Sequence, residues 1–304
     1  MEDRKSAIVL LITASFVWAG VGISWKYFIL LGIAFMTVFM VSRLFKFLSV
    51  LFIAYYRVKQ HEPIKNAGEL FTIFLNACFS VGTPLFFVLA LGNTTISNAY
   101  FLMYTMPAWV LIASVLILGE TMSPKKLGGI LLTLTGITLI AAPWNSGFQI
   151  NLGLVYGLLA AFSHTGDIIT SRELKDYAYH TVSLYSNFMQ LVVAAIVTPL
   201  FFEITFNGLE PVPLLAMAAI GILLGIASDM YYHALDILEA STAAIVSFSE
   251  LIFAGILAFI FFSELPKESE LIGYVLIFLA GAVLVLRTAD IERFEHLLRF
   301  TDRM

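Results

Sequence analysis

The sequence contains few charged residues and a single cysteine. Charged residues make up 12% of its 304 residues, whereas soluble domains carry roughly 25%. Hydrophobic residues make up 60%, and a water-soluble fold of this size could not bury so much apolar surface. Because Cys78 is alone, an intrachain disulfide framework and a cysteine-based metal site are excluded. The net charge of −4 is too small to indicate a nucleic-acid partner. The composition therefore predicts an integral membrane protein.

Ten apolar segments are long enough to cross a bilayer, which takes a helix of about 20 residues. They run roughly over 6–25, 33–56, 69–91, 95–118, 126–143, 152–172, 181–203, 212–235, 241–262 and 269–287. The short connections carry turn-forming residues such as Gly92-Asn93. No small-residue cleavage pattern follows the first segment, so we interpret it as a retained helix. The predicted fold class is an all-α integral membrane protein with ten transmembrane helices.

Lysine and arginine are concentrated on one side of this arrangement. If the N-terminus is cytoplasmic, the outer loops hold only Lys26 and Lys267. The inner segments hold Arg4, Lys5, Arg57, Lys59, Lys65, Lys125, Lys126, Arg172, Lys175, Arg287, Arg293, Arg299 and Arg303. The positive-inside rule then predicts that both termini are in the cytoplasm. We expect the protein to lie in the plasma membrane. Residues 288–304 are predicted to be a cytoplasmic tail, either an amphipathic helix on the inner leaflet or a disordered segment.

An internal repeat relates the two halves of the chain at a separation of 144 residues. Residues 90–120 align without gaps on 234–264, with Glu120 matching Glu264, and residues 42–47 align on 186–191. Near the start of each half, residues 18–26 correspond to 164–172. Five helices is an odd number, so the second copy enters the membrane from the opposite side, as in inverted-repeat transporters. We predict one five-helix repeat over 1–146 and a second over 147–287.

Three stretches resemble the ten-helix EamA-type transporters of the drug/metabolite transporter superfamily. They are Trp18 to Lys26 followed by Arg43, the segment 98–120 that ends in glycine and glutamate, and the segment 249–264. The resemblance implies the inverted-repeat fold and the export of an amino acid or similar small metabolite. The chain departs from the family pattern at four positions, which are Leu251 after Glu250, His164, Asp167 and Asp229.

Ionisable and aromatic residues inside the predicted spans are the candidate functional residues, because charge in hydrocarbon is costly and usually faces a cavity. The candidates for substrate binding are Trp18, Arg43, Tyr104, His164 and Glu250, and those for proton coupling are Asp167, Asp229 and His233. Each pair, His164 with Asp167 and Asp229 with His233, shares a helix face. The alternative is that both pairs are polar contacts between helices. Arg43 and Glu250 are expected either to pair across the repeats or to bind substrate.

A proton-coupled secondary transporter is the leading interpretation, with a small-molecule substrate and the bilayer as partners and no cofactor or enzymatic activity. The sequence indicates no oligomeric state. A drug or organic-cation efflux pump is the alternative within transporters. An intramembrane metal-dependent enzyme would use the spacing in DMYYHALD (229–236), although we find no further hydrolase motif. A signalling or scaffold protein of the membrane is disfavoured, because the short predicted connections provide no extramembrane surface with which to recruit partners.

Overall fold

The computed structural model describes residues 2–56, 64, 66–145, 151–205 and 210–285, and these residues are almost entirely helical. Within these ranges twelve α-helices follow one another, and a 3-10 turn lies at Pro143–Asn145. They are α1 (Glu2–Leu30), α2 (Phe35–Tyr56), α3 (Ala67–Leu91), α4 (Ile96–Met103), α5 (Met106–Leu116), α6 (Pro124–Ala141), α7 (Leu152–Glu173), α8 (Tyr179–Phe201), α9 (Pro211–Ile237), α10 (Ala240–Ser247), α11 (Ser249–Phe262) and α12 (Glu268–Val285). The predicted tail, 288–304, lies outside the described residues.

The all-α prediction is confirmed, with ten membrane-helix units in two five-helix repeats. Within the described ranges, nine helical segments are long and apolar enough to cross a bilayer, and α12 is the tenth unit. We call the end of the bundle where α1 begins the N-terminal face, and the end where α1 stops the opposite face. Many large apolar side chains on the outside of the bundle are exposed. This is expected for a protein whose outer surface contacts lipid rather than water.

The predicted fourth and ninth spans are each broken in the middle rather than continuous. The first break follows Tyr104, where Pro107 lies at the start of α5. The second falls at Phe248, the repeat counterpart of Tyr104, although Leu251 replaces the proline there. The Tyr104 and Phe248 rings contact each other with centroids 5.5 Å apart. Since only one half has the proline, the shared break depends on packing at the centre of the bundle as well as on proline.

The two repeats are intertwined rather than side by side. Helix α3 packs along α7 of the second repeat, and its counterpart α9 packs along α1 of the first. Two pairs of counterparts also pack directly on each other, α2 with α8 and α6 with α12. Consequently the interface between the repeats runs through the middle of the molecule, where α2, α7, α8, α10 and α11 surround a central space.

Glycines on α9 allow this helix to approach α2 closely. A Cβ atom at Gly221 would lie 2.5 Å from the carbonyl oxygen of Ser42, and one at Gly225 would lie 2.7 Å from that of Lys46. Any side chain at these two positions would push α9 away from α2. The close contact therefore fixes the part of α2 that carries Arg43 and Lys46.

Candidate functional site

A cavity of about 210 Å³ lies at the centre of the bundle, between the two repeats. Its wall combines apolar and aromatic side chains with a small number of charged and polar ones. The residues that line it are Trp18, Lys46, Ser80, Tyr104, Met106, His164, Asp167, Ile168, Gln190, Ser228, Tyr231, Tyr232, Ser247, Phe248, Glu250 and Leu251. This size and lining suit a small polar molecule.

Gln190 on α8 organises the polar side of the cavity. Its side-chain oxygen accepts hydrogen bonds from the Arg43 guanidinium and, at 3.3 Å, from the Lys46 ammonium. Arg43 also donates to the carbonyl oxygen of Ser80 at 3.0 Å. The Gln190 amide donates to Asn76 at 3.3 Å. Two buried cations therefore share one neutral acceptor, which satisfies hydrogen bonds without cancelling their charge.

Asp167 is the acid on this side of the cavity, and Asn76 of α3 holds it. The Asn76 amide donates to an Asp167 carboxylate oxygen at 2.8 Å and to the Ser171 hydroxyl at 2.9 Å. Arg43 and Lys46 both lie within electrostatic range of Asp167. Two cations and one anion leave this side of the cavity with an excess of positive charge.

Glu250 and a group of aromatic rings form the other side of the cavity. Tyr104 stacks on Tyr100 with centroids 5.7 Å apart. Trp18 packs edge-on against Tyr231 at 5.4 Å, and Tyr231 lies between the two sides because it is within electrostatic range of Asp167. Glu250, in the first turn of α11, lies within electrostatic range of both Tyr100 and Tyr104. An anionic, aromatic side thus faces a cationic, amide-rich side.

The cavity continues into a vestibule of about 480 Å³ that reaches the opposite face. Tyr104, Glu250 and Leu251 line both spaces, so they form the boundary between them. Lys26 and Glu264, at the far ends of α1 and α11, also line the vestibule and form an ion pair at 2.5 Å. Lys26 therefore has a protein partner at the opposite face.

The N-terminal face is closed by contacts that the opposite face lacks. The Glu120 carboxylate, just beyond α5, accepts hydrogen bonds from the Ala240 N–H at 2.6 Å and the Ser241 hydroxyl at 2.8 Å, at the start of α10. The Lys126 ammonium lies 3.0 Å from Glu239 and 3.7 Å from Glu120. Helix α5 packs on α10, whereas their counterparts α11 and α4 make no comparable contact among the described residues.

Five of the eight predicted site residues line the cavity, namely Trp18, Tyr104, His164, Asp167 and Glu250. Arg43 lies behind the wall and contacts it through Gln190 and Ser80. Of the two arrangements expected for Arg43 and Glu250, the pairing is not observed among the described residues, because Arg43 bonds to Gln190 and Ser80. The Nδ1 atom of His164 is buried without a hydrogen-bond partner in the described part of the chain.

Asp229 and His233, both predicted as proton-coupling residues, are not among the residues that line the cavity. Both are on α9, where Asp229 is buried and His233 packs its ring on Tyr179 with centroids 4.3 Å apart. In the described ranges, no group of three histidine, cysteine or acidic side chains is placed to hold a metal ion. The spacing in residues 229–236 thus does not form the site that an intramembrane metalloenzyme would need.

Sequence reasoning did not select Asn76, Gln190 or Lys46 as site residues. A usable signal existed for two of them, because the repeat aligns Lys46 on Gln190 and so places both at one level of the scaffold. Arg172 was not selected either, and its guanidinium donates to the carbonyl oxygen of Leu235. That bond links α7 to α9 near the N-terminal face.

Comparisons with known proteins agree with this architecture. Two relatives from Archaeoglobus fulgidus are each described as an uncharacterized transporter. One is 25% identical over 217 residues, covering 69% of this chain and 74% of the relative. The other is 28% identical over 207 residues, covering 64% of this chain and 68% of the relative. A crystal structure, described only as that of a protein, has a TM-score of 0.76 at 17% identity, covers 92% of this chain and 98% of its own, and shares the fold.

The model of one family matches the chain twice, once in each repeat. The matches cover residues 5–142 and 151–287, which together include nearly all of the helical bundle. The protein is accordingly a multi-pass membrane transporter rather than an enzyme, and the chain belongs to the EamA-like transporter family.

Proposed function

We propose that the protein is a secondary transporter that exports an amino acid or similar small metabolite across the plasma membrane by alternating access. The observation that carries the proposal is a central cavity built from both repeats, open toward one face and closed toward the other. Inverted-repeat transporters expose such a cavity to each side in turn. With both termini in the cytoplasm, as the lysine and arginine distribution indicates, the cavity is open to the outside.

The repeat indicates how the cavity would open to the other side. Glu120 satisfies the unpaired N–H groups at the start of α10, a contact of a kind worth about 1 kcal/mol. The repeat aligns Glu120 with Glu264 and the start of α10 with the start of α4. In this state, however, Glu264 pairs with Lys26 and not with α4. In the alternate state, Glu264 would bind the first-turn backbone N–H groups of α4, and Glu120 would release α10.

A pair of alanine substitutions tests this exchange. Glu120→Ala should favour the inward-open state and Glu264→Ala the outward-open state, so the two should change exposure of the vestibule in opposite directions. The measurement is labelling of an Ala258→Cys reporter in the vestibule by a membrane-impermeant maleimide, in a background with Cys78 replaced by serine. The exposed Glu268→Ala is the matched control. Equal labelling of both variants would contradict the exchange.

We also propose that transport is coupled to protons and that Asp167 carries the proton. In support, Asp167 lines the cavity and contacts a hydrogen-bonded network, whereas Asp229 and His233 lie outside it. Efflux from proteoliposomes should respond to an imposed pH gradient, and Asp167→Asn should abolish that response. Asp229→Asn and His233→Gln should retain it. Identical rates with and without the gradient in the unaltered protein would exclude coupling.

A further inference from the structure

An apolar groove of about 740 Å³ lies on the outside of the bundle, where α1, α9 and α11 meet. The rim side chains Phe16, Leu223 and Phe261 are 50%, 48% and 69% exposed, so the groove opens toward the bilayer. In the part of the chain that the structure describes, no charged side chain lines it. Its volume falls in the range of about 300–1,000 Å³ that is typical of ligand sites. An uncharged lining in the hydrocarbon region favours an apolar ligand, and the acyl chains of lipids are the apolar molecules that the bilayer supplies there.

The groove has the length of one leaflet. On α9 its lining runs from Val212 to Leu223, which is about 16 Å of helix at 1.5 Å per residue. One leaflet provides about 15 Å, which is half of a hydrocarbon core of about 30 Å. The exposed ring of Tyr27 lines the groove near the opposite face, at the level of the lipid headgroups. At the other end, Phe16 packs edge-on against Phe253 at 5.3 Å. A chain that enters at the headgroup level would therefore lie along the groove to the middle of the bilayer.

The corresponding space between α7 and α3 is filled. The repeat aligns Gly20 with Gly166 and Leu223 with Phe79. A Cβ atom at Gly166 would lie 2.5 Å from the ring of Phe79, so these two helices are in tight contact. A Cβ atom at Gly20 would meet no atom within 4 Å. The α1–α9 pair thus leaves room for a ligand at the position where its counterpart pair leaves none.

The groove and the vestibule lie on two sides of the same helices. On α1, Ile23 lines both spaces. On α11, Leu257 lines the groove and the next residue, Ala258, lines the vestibule. A movement of α11 that closes the vestibule would therefore also reshape the groove. If the two repeats exchange conformations, α1 would pack on α9 as tightly as α7 packs on α3 here, and the groove would close.

We propose that the groove binds one acyl chain of a phospholipid from the leaflet at the opposite face, and that the bound chain stabilises the state in which the vestibule is open. The effect on the state rests on the proposed alternating access, whereas the site itself does not. A ligand shifts an equilibrium between two conformations when it binds one of them better. A groove that is open in one state and closed in the other gives the chain this preference.

The site should recognise the chain rather than the headgroup. Lys26 lies beside the groove, over the ring of Phe262 at 4.5 Å, and it is already paired with Glu264 at 2.5 Å. A phosphate at the mouth of the groove would have to compete with this carboxylate. Zwitterionic and anionic phospholipids should therefore bind equally.

Photo-cross-linking tests the site. The full-length protein is reconstituted in phosphatidylcholine vesicles that contain a phosphatidylcholine probe with a diazirine in one acyl chain, and cross-linked peptides are identified by mass spectrometry. We expect cross-links to the groove segments of α1, α9 and α11 to be at least fivefold more frequent than cross-links to α12. A phosphatidylglycerol probe should give the same pattern.

Variants that fill the groove provide the comparison. Gly20→Leu and Ala216→Leu add bulk from α1 and from α9, and each should reduce the groove cross-links at least fivefold. Using two different helices separates a filled groove from a local folding defect. Gly281→Leu on α12 is the matched control, because a Cβ atom there also meets no atom within 4 Å, and it should leave the cross-links unchanged.

Labelling of the vestibule tests the effect on the state. In delipidated protein with Cys78 replaced by serine, added phosphatidylcholine should raise the rate of maleimide labelling of Ala258→Cys at least threefold. Gly20→Leu should abolish this response to lipid, and Gly281→Leu should retain it.

Two results would overturn the proposal. Cross-links spread evenly over all lipid-facing helices, and unaffected by the filling variants, would show lipid that merely surrounds the protein. Cross-links concentrated in the groove, with labelling of Ala258→Cys independent of lipid, would refute the effect on the state. If Glu120→Ala and Glu264→Ala also leave this labelling unchanged, the alternating access itself is contradicted, and the cross-links alone then decide the site.

Discussion

Gln190 is neutral, yet its side chain connects the charged residues of the cavity. Its oxygen is the shared acceptor for Arg43 and Lys46, and its amide donates to Asn76, which in turn holds Asp167. Buried cations that lose their acceptor retain the full cost of desolvation. One glutamine thus connects both cations of the cavity to its acid.

Replacing Gln190 by leucine should therefore destabilise the protein. Removing an acceptor from charged donors costs about 1.5–3 kcal/mol, so we expect the free energy of unfolding in detergent to fall by about 2–3 kcal/mol. Gln190→Glu, which retains the acceptor and adds a compensating charge, should restore most of the stability. Thr13→Val provides the control, because the Thr13 hydroxyl bonds only to its own helix at 2.8 Å. Similar unfolding of the leucine variant and this control would contradict the role of Gln190.

Residue identities in the cavity were predictable where charge in an apolar run is itself unusual, as for Asp167 and Glu250. Their partners were not predictable. The hydrogen bonds of Gln190 depend on α2 packing directly on α8, and neither helix carries a pattern that specifies its neighbour. For the same reason the sequence could not decide between an Arg43–Glu250 pair and a substrate-binding role for both, whereas the packing puts Arg43 against Gln190 and Ser80.

At the level of elements, the turns that follow α5 and α11 both contain a residue in the left-handed backbone conformation, but the residue type differs between them. Gly119 has φ of 65°, and its repeat counterpart Ser263 has φ of 55°. The left-handed region is accessible to glycine without strain, while other L-residues enter it at a cost of roughly 1–2 kcal/mol. The second repeat has therefore retained the turn but lost the residue that favours it.

Exchanging these residues should change stability in opposite directions. We expect Ser263→Gly to raise the free energy of unfolding by about 1 kcal/mol and Gly119→Ser to lower it by a similar amount. Thermal unfolding of both variants beside the unaltered protein measures the difference. A stabilising effect of Gly119→Ser would show that the turn is determined by other contacts.

The contact between α6 and α12 offers a second test at this level. A Cβ atom at Gly136 would lie 2.7 Å from the carbonyl oxygen of Gly273, whereas one at Gly128 would meet no atom within 4 Å. Gly136→Ala should thus force the two helices apart and cost about 1–3 kcal/mol. Gly128→Ala should leave stability unchanged or raise it slightly, since alanine favours helix. Unfolding temperatures that fall equally would refute the close packing.

The number and order of helices followed from hydrophobic length alone, but the breaks after Tyr104 and at Phe248 did not. Hydropathy reports which residues leave water, and the residues on both sides of each break are equally apolar. The interruption depends on the contact of the two rings, which lie 144 positions apart in the sequence. Pro107 marks one of the breaks, and nothing in the local sequence marks the other.

At the scale of the whole molecule, a symmetric scaffold is held in an asymmetric state. Ser114 and Ala258 are repeat counterparts, yet Ser114 is 0% exposed and Ala258 lines the vestibule. The difference arises because α5 packs on α10 at the N-terminal face, while α4 and α11 make no comparable contact among the described residues. Counterpart residues of the two repeats thus occupy different environments.

Cysteine labelling should report this asymmetry directly. In a background with Cys78 replaced by serine, Ala258→Cys should react with a polar maleimide at least tenfold faster than Ser114→Cys in detergent. A saturating substrate that drives alternation should slow the labelling of Ala258→Cys and accelerate that of Ser114→Cys, so that the ratio of the two labelling rates falls. Equal rates in the absence of substrate would contradict an outward-open resting state.

The repeat in the sequence predicted the scaffold but not the state. An inverted repeat specifies two equivalent arrangements of the helices, and which one is more populated depends on small differences between counterparts. Lys126 beside Glu120 and Glu239 is one such difference, since Glu270 is its counterpart on the other half. The free-energy difference between the two states is a few kcal/mol, spread over many helix contacts. Composition and residue spacing therefore cannot predict which state is more populated.

Positions on the approximate twofold axis have a consequence for the origin of this protein. Lys46 bonds to Gln190 and Tyr104 contacts Phe248, and each of these residues touches its own counterpart. In a dimer of identical chains, a residue at such a position meets a copy of itself, so a lysine there would face a lysine. Because the two copies are separate segments of one chain here, one can be a glutamine while the other keeps its charge. The polar side of the cavity is therefore a property that a symmetric ancestor could not have had.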